Sequence, residues 1–172
     1  MARPETAKKQ GGQALKMLKK LACILMAVLM LSACGAKKET PEEIAVHALD
    51  FDKVAAQTIE SVTSMSTCSH IVDMSITLED DTVNIAIVVD DAMKKELSLE
   101  YADTAIRQLG FYASIANNEI HSPGKDHYGT LYDVYDLSVA VSPLSKVEDY
   151  DDWYIHDYVC KGLHTQQPIE LK

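Results

Sequence analysis

Read from Thr40 onward, the sequence predicts an α+β domain: a four-stranded antiparallel sheet with two helices packed on one face, in the order helix, hairpin, helix, hairpin. Three observations carry this. Two long stretches repeat apolar residues at spacings of three and four, the signature of one helical face. Four short stretches alternate apolar with polar residues, as half-buried strands do. Turn residues join those strands in pairs and leave the helices apart from them. The repeated order hints at a duplicated unit, although the two halves share no clear residue-by-residue match.

The first helix has a strong start. Thr40 serves as N-cap, Pro41 takes the first helical position, and Glu43 closes a capping box. Ile44, Ala48, Phe51, Ala55, Ile59 and Val62 then mark one apolar face, and the Ser/Thr/Met run from Ser61 to Thr67 ends it. Val72, Met74, Ile76 and Leu78 alternate with Asp73, Ser75, Thr77 and Glu79 as a first strand. Glu79-Asp80-Asp81 turns the chain into a second strand carrying Val83, Ile85, Ile87 and Val89. Ala86 and Val88 are apolar too, so this strand is expected to lie centrally in its sheet.

Asp90-Asp91 caps a second helix running to about Asn117, with acids at its positive end. Leu97, Tyr101, Ala105, Leu109, Tyr112 and Ala116 form its inward stripe. Gly110 lies inside it at a cost in propensity, which suits close approach to a neighbour, and Asn117-Asn118 offers a left-handed stop. The 121–129 loop is polar and holds a Pro-Gly turn, His121, His127 and Tyr128. Tyr135, Leu137, Val139 and Val141 make the third strand, an acidic turn covers Pro143 to Asp152, and Trp153 to Cys160 is the fourth. A frayed tail follows Gly162, with Ile169-Glu170-Leu171 able to pair briefly at an edge.

Upstream, Lys16, Lys19 and Lys20 precede an unbroken apolar run from Leu21 to Leu31. Eleven helical residues rise only about 16 Å, short of the ~30 Å hydrocarbon core, so the run suits a signal peptide better than a permanent span. It ends in Leu31-Ser32-Ala33-Cys34, which resembles the lipobox of bacterial lipoproteins. The resemblance covers only the first fifth of the chain. It implies that the Cys34 thiol receives a diacylglyceryl group and that a signal peptidase cuts after Ala33. On that reading residues 1–33 are the signal peptide, 34–40 a lipidated tether and 41–172 one domain, held by the lipid on the extracytoplasmic side of the cell membrane or outer membrane. Residues 1–16 are polar and carry Pro and Gly, so translation is expected to start at Met17.

Removing the signal takes six of the sixteen basic residues and one of the twenty-six acids. Ten basic residues then face twenty-five acidic ones, a formal charge of −15. Such a domain does not suit nucleic acid, whose phosphates need Lys and Arg, nor an anionic lipid surface beyond the acyl anchor. Solubility explains the acidity first, and a cationic partner fits it. Cys68 and Cys160 remain; they either bridge or stay as separate buried thiols. A bridge would close a long loop worth roughly 4–5 kcal/mol in the entropic model.

No catalytic motif stands out: there is no Gly-x-Ser-x-Gly elbow and no phosphate-cradling glycine loop. Six histidines are present, but none of their spacings is that of a known metal knuckle, and no cofactor is implied. The acids from Glu148 to Asp157 fail the calcium-loop pattern, because Tyr154 and Cys160 stand where Gly and Glu are needed. They read as a solvated turn with edge charges. Tyr128, Tyr132, Tyr135, Tyr150, Tyr154 and Tyr158 crowd the last hairpin with Trp153. If Ile155 and Val159 face the helices, Tyr154, His156 and Tyr158 form an exposed stripe. The expected role is therefore a protein- or ligand-binding module using His121, His127, Tyr128, Tyr154, His156 and Tyr158, with an envelope protein or a small ligand as partner. A metal-binding accessory lipoprotein using His and Asp side chains, and a small envelope enzyme, are the alternatives.

Overall fold

The computed structural model describes residues 39–164 and 169–172. The signal, the lipobox with Cys34 and the start at Met17 lie outside them.

Thr40 opens helix α1 (Pro41–His47) with both bonds of its capping box: its hydroxyl accepts the Glu43 N–H, and the Glu43 carboxylate accepts the Thr40 N–H. The single long helix expected from Pro41 does not form. Asp50 takes the Lys53 N–H and starts a new helix, α2 (Phe51–Ser64), after a break at Ala48 to Asp50. The break turns Ile44 out to solvent, 54% exposed, while Phe51, Val54, Ala55 and Val62 stay in the core. A cap placed mid-pattern has overridden a continuous apolar period.

A short 3-10 turn at Ser66–Cys68 leads into β1 (Ile71–Glu79), which pairs antiparallel with β2 (Thr82–Val89). Asp80 sits in the turn with φ 52°, a left-handed conformation that Asp tolerates. Helix α3 (Leu97–Ala116) starts six residues later than its acidic cap would place it. Asp90 instead takes the Ala92 N–H and the His70 Nδ1, bracing the start of β1 against the end of β2. Its far end has Asn117 in an extended conformation (φ −146°), so the left-handed stop is not used. The one-turn helix α4 (Leu131–Val134) precedes β3 (Asp136–Pro143), and two 3-10 turns separate β3 from β4 (Ile155–Val159).

The sheet is four-stranded in the order β1-β2-β3-β4, and it is mixed. β2 and β3 run parallel, where an all-antiparallel sheet was expected. The cause lies in α3: twenty residues of helix, about 30 Å, carry the chain back to the end where β2 began. An antiparallel β3 would need no such return. Burial follows: Val83, Ile85, Ile87, Leu137, Val139 and Val141 on the two central strands are all 1% exposed or less, each contributing about 1.5–3 kcal/mol.

The register sorts the two faces. Met74 and Ile76 lie on the covered face with the inward residues of β2 and β3. The rows Ser75–Ala86–Ala140–His156 and Thr77–Asn84–Ser138–Tyr158 line the other. That open face is small and polar except along β4.

Cys68 and Cys160 are both free thiols in this structure, Cys68 buried and Cys160 exposed. They flank the outermost strands, about 14 Å apart across three strand spacings. β1 and β4 also run in the same direction, so a residue before one and a residue after the other sit at opposite ends of the sheet. A disulfide needs Cα atoms within about 7 Å.

Candidate functional site

Because β2 and β3 are parallel, their carboxyl ends emerge side by side, the place where open sheets with crossover helices form crevices. Asp91, just beyond β2, accepts the Ser145 N–H just beyond β3 at 3.0 Å. Around that bond lies a shallow cleft of about 320 Å³, lined by Asp91, Pro143, Ser145, Lys146, Asp152 and Tyr154. Lys146 Nζ meets Asp152 Oδ2 at 2.5 Å across it. That hydrogen bond raises the lysine's pKa and lowers the aspartate's. Both side chains are nearly half exposed, so the pair adds little to stability and mainly fixes the loop.

Beside the cleft three rings gather. Trp153 Nε1 donates to the Lys146 and Val147 carbonyls at 3.1 and 3.2 Å, which pins the edge of the indole. Asp149 receives the Asp151 N–H on its side chain and the Asp152 N–H on its carbonyl, and this tight turn presents Tyr150. The Tyr150 ring lies 4.5 Å from Trp153, and His156 lies 5.4 Å from Trp153 and 6.2 Å from Tyr150. Tyr150 is 61% exposed. Exposed rings held by their neighbours give large contact area for little lost entropy, the usual chemistry of a binding anchor.

The 169–172 segment lies along β4 next to these rings. The Lys172 N–H donates to the Tyr154 carbonyl at 3.0 Å and the Glu170 N–H to Asp157 Oδ2 at 3.1 Å. Ile169 packs against the core. The edge pairing expected for Ile169-Glu170-Leu171 does not form a β-bridge: the Glu170 N–H goes to the Asp157 side chain, and the one main-chain bond comes from Lys172.

The six residues expected to bind do not share one surface. His156 stands in the ring cluster, Tyr154 lines the cleft, and Tyr158 is exposed further along β4 with its hydroxyl donating to Asp136 Oδ2 at 2.7 Å. The other three belong to the helix layer. Tyr128 is packed between Arg107, 5.0 Å over its ring, and the rings of Tyr132 and His164. Burial, helped by Asp103, pushes its hydroxyl up to about 12. His127 folds back on Gly124 through an isolated bridge. His121 lines a separate cleft with Thr40, Glu42, Glu43 and Asp133. Next to it the His164 side chain is 4% exposed, and its Nδ1 has no hydrogen-bond partner among the described residues, with Asp133 Oδ1 3.8 Å away.

Sequence reasoning missed Asp91, Ser145 and Lys146. Their meeting depends on the direction of β3, which no local pattern encodes. Tyr150 and Trp153 were visible only as members of a tyrosine crowd. Among the described residues no three His, Cys, Asp or Glu side chains converge as metal ligands, and no helix is long and apolar enough to cross a membrane. No family model, curated protein or solved structure matches the chain.

Proposed function

We propose that the chain is a lipid-anchored bacterial lipoprotein whose domain is an extracytoplasmic binding module, engaging its ligand at the carboxyl ends of β2 and β3. The observation that carries the binding surface is the Tyr150–Trp153–His156 cluster, with Tyr150 and His156 exposed and Trp153 half-buried, beside the Asp91–Tyr154 cleft. Its placement supports the anchored reading. Thr40, where the described domain begins, lines a cleft with Asp133 and Val134, next to the start of β3. The ring cluster lies past the opposite end of β3, eight residues or about 25 Å away.

Two experiments test this. Intact-protein mass spectrometry of membrane fractions is expected to give a diacylated mass that disappears in Cys34→Ala; an unmodified mass in the wild type removes the anchor. A photo-crosslinking amino acid at position 156 is expected to trap a discrete envelope partner in cells, and Tyr150→Ala with Trp153→Ala to abolish it. Unchanged trapping in that variant removes the surface.

A further inference from the structure

The turn that bears Tyr150 already has an occupant, and its contacts define what the surface recognises. Lys172 meets the site with every group it has. Its N–H donates to the Tyr154 carbonyl, its Nζ donates to the Tyr150 carbonyl and lies 3.7 Å from Asp151 Oδ1, and its own carbonyl accepts from Lys95 Nζ at 2.5 Å. Two positions earlier Glu170 donates its N–H to Asp157 on β4. N–H groups two residues apart that turn to the same edge are the mark of an added strand. Leu171, between them, is 37% exposed.

We infer that the β4 edge and the turn bearing Tyr150 form a docking site for an extended, lysine-bearing peptide segment of a partner protein, and that Lys172 is the displaceable occupant seen here. The inference rests on the binding surface proposed above and names its partner class. The Tyr154 carbonyl just before β4 and the Asp157 carboxylate on it take backbone N–H groups of the incoming segment, as they take those of Lys172 and Glu170. The Tyr150 carbonyl and the Asp151 carboxylate take the ammonium. Charge favours such a partner: residues 34–172 carry a formal −15, so a cationic segment is drawn in and an acidic one repelled. The occupant is weakly held. The Lys172 side chain is 39% exposed, and the Asp151 side chain beside it is fully exposed. It competes through proximity, because a segment of the same chain acts at an effective concentration on the order of millimolar.

The test uses the full-length chain in detergent micelles and a fluorescein-labelled peptide copying residues 167–172, read by anisotropy. Lys172→Glu vacates the ammonium site, so it is expected to bind the peptide at least tenfold more tightly than the wild type. A peptide with alanine at the Lys172 position is expected not to bind, and adding Asp151→Asn to Lys172→Glu to weaken binding several-fold. Where Lys172→Glu loses its cooperative melt, Lys172→Ala gives the same reading. Equal affinity for the lysine and alanine peptides, or no binding to a vacated chain that melts normally, overturns the inference. If crosslinking at position 156 still needs Tyr150 while the peptide fails, the surface stands and the lysine class falls. If both fail, the surface falls with it.

Discussion

Asp73 and Asp157 do the same thing on the two outermost strands: Asp73 Oδ1 accepts the Met74 N–H at 2.9 Å, and Asp157 Oδ1 accepts the Tyr158 N–H at 2.8 Å. Each carboxylate takes up a main-chain donor that an edge strand would otherwise offer to another chain, and adds a charge beside it. Asp157 goes further, since its second oxygen holds Glu170. Replacing both with alanine is expected to cost about 0.5–1.5 kcal/mol per bond in folding. The larger effect is on association: light scattering of the double variant is expected to rise with concentration at neutral pH while the wild type stays flat. Equal scattering would show that the edges are guarded by something else.

Gly110 sits where α3 meets the 121–129 loop. A Cβ there would stand 2.7 Å from the Tyr128 carbonyl oxygen and 2.9 Å from Pro123 Cγ. The first neighbour is main chain and cannot swing away. Gly110→Ala is expected to lower the urea midpoint by the equivalent of about 1–3 kcal/mol, the usual range for overpacking. Gly162 is the control. Among the described residues nothing lies within 4 Å of its Cβ position, but its φ is +74°, so Gly162→Ala costs only the left-handed backbone term of about 1–2 kcal/mol. If pairing Gly110→Ala with a smaller residue at Pro123 restores nothing, the Tyr128 carbonyl is the contact that matters.

What could be read beforehand was what neighbours in sequence decide. The Thr40–Glu43 capping box, the alternation in β1 through β4 and the outward position of His156 and Tyr158 depend on residues a few positions apart. The close approach at Gly110 was also legible, because a mid-helix glycine needs a reason. The direction of β3 was not, since alternation is the same in parallel and antiparallel strands. That one unknown hid the meeting of Asp91 with Ser145, and with it the cleft. It also made a Cys68–Cys160 bridge look feasible. The break at Ala48 was hidden differently, because the apolar spacing continues through it while Asp50 caps a new helix.

Acid should unfold this domain through particular carboxylates. Asp136 is held below its ordinary 3.8, first by the Lys161 N–H and then by the Tyr158 hydroxyl. Asp90 is lowered chiefly by its hydrogen bond with His70, 2.7 Å away. A carboxylate with a depressed folded-state pKa binds protons more readily in the unfolded chain. Its stabilisation is therefore complete above the ordinary carboxylate range and is lost as pH falls through the folded value. The melting temperature is expected to fall steeply below about pH 4, the range where carboxylates titrate. Asp136→Asn should melt lower than wild type at pH 7 and lose less between pH 4 and 2. Parallel curves would mean that Asp136 is not among the groups coupling acid to unfolding.

The two domain cysteines are expected to behave as unequal thiols. Cys68 is 2% exposed, and burial raises its pKa above the ordinary 9.0, so little of the reactive thiolate forms at neutral pH. Cys160 is exposed just past β4. Alkylation of the native protein with iodoacetamide, followed by peptide mapping, should label Cys160 within minutes and Cys68 only once urea opens the core. Oxidation should follow the same asymmetry. Cys160 is free to join a second chain or a small thiol, but it cannot reach Cys68 across the sheet while the strands keep their order. Non-reducing mass spectrometry of oxidised native protein is therefore expected to show mixed disulfides or dimers through Cys160. A Cys68–Cys160 linked peptide from protein that was never unfolded would contradict the strand order itself. Labelling at equal rates would contradict only the burial of Cys68.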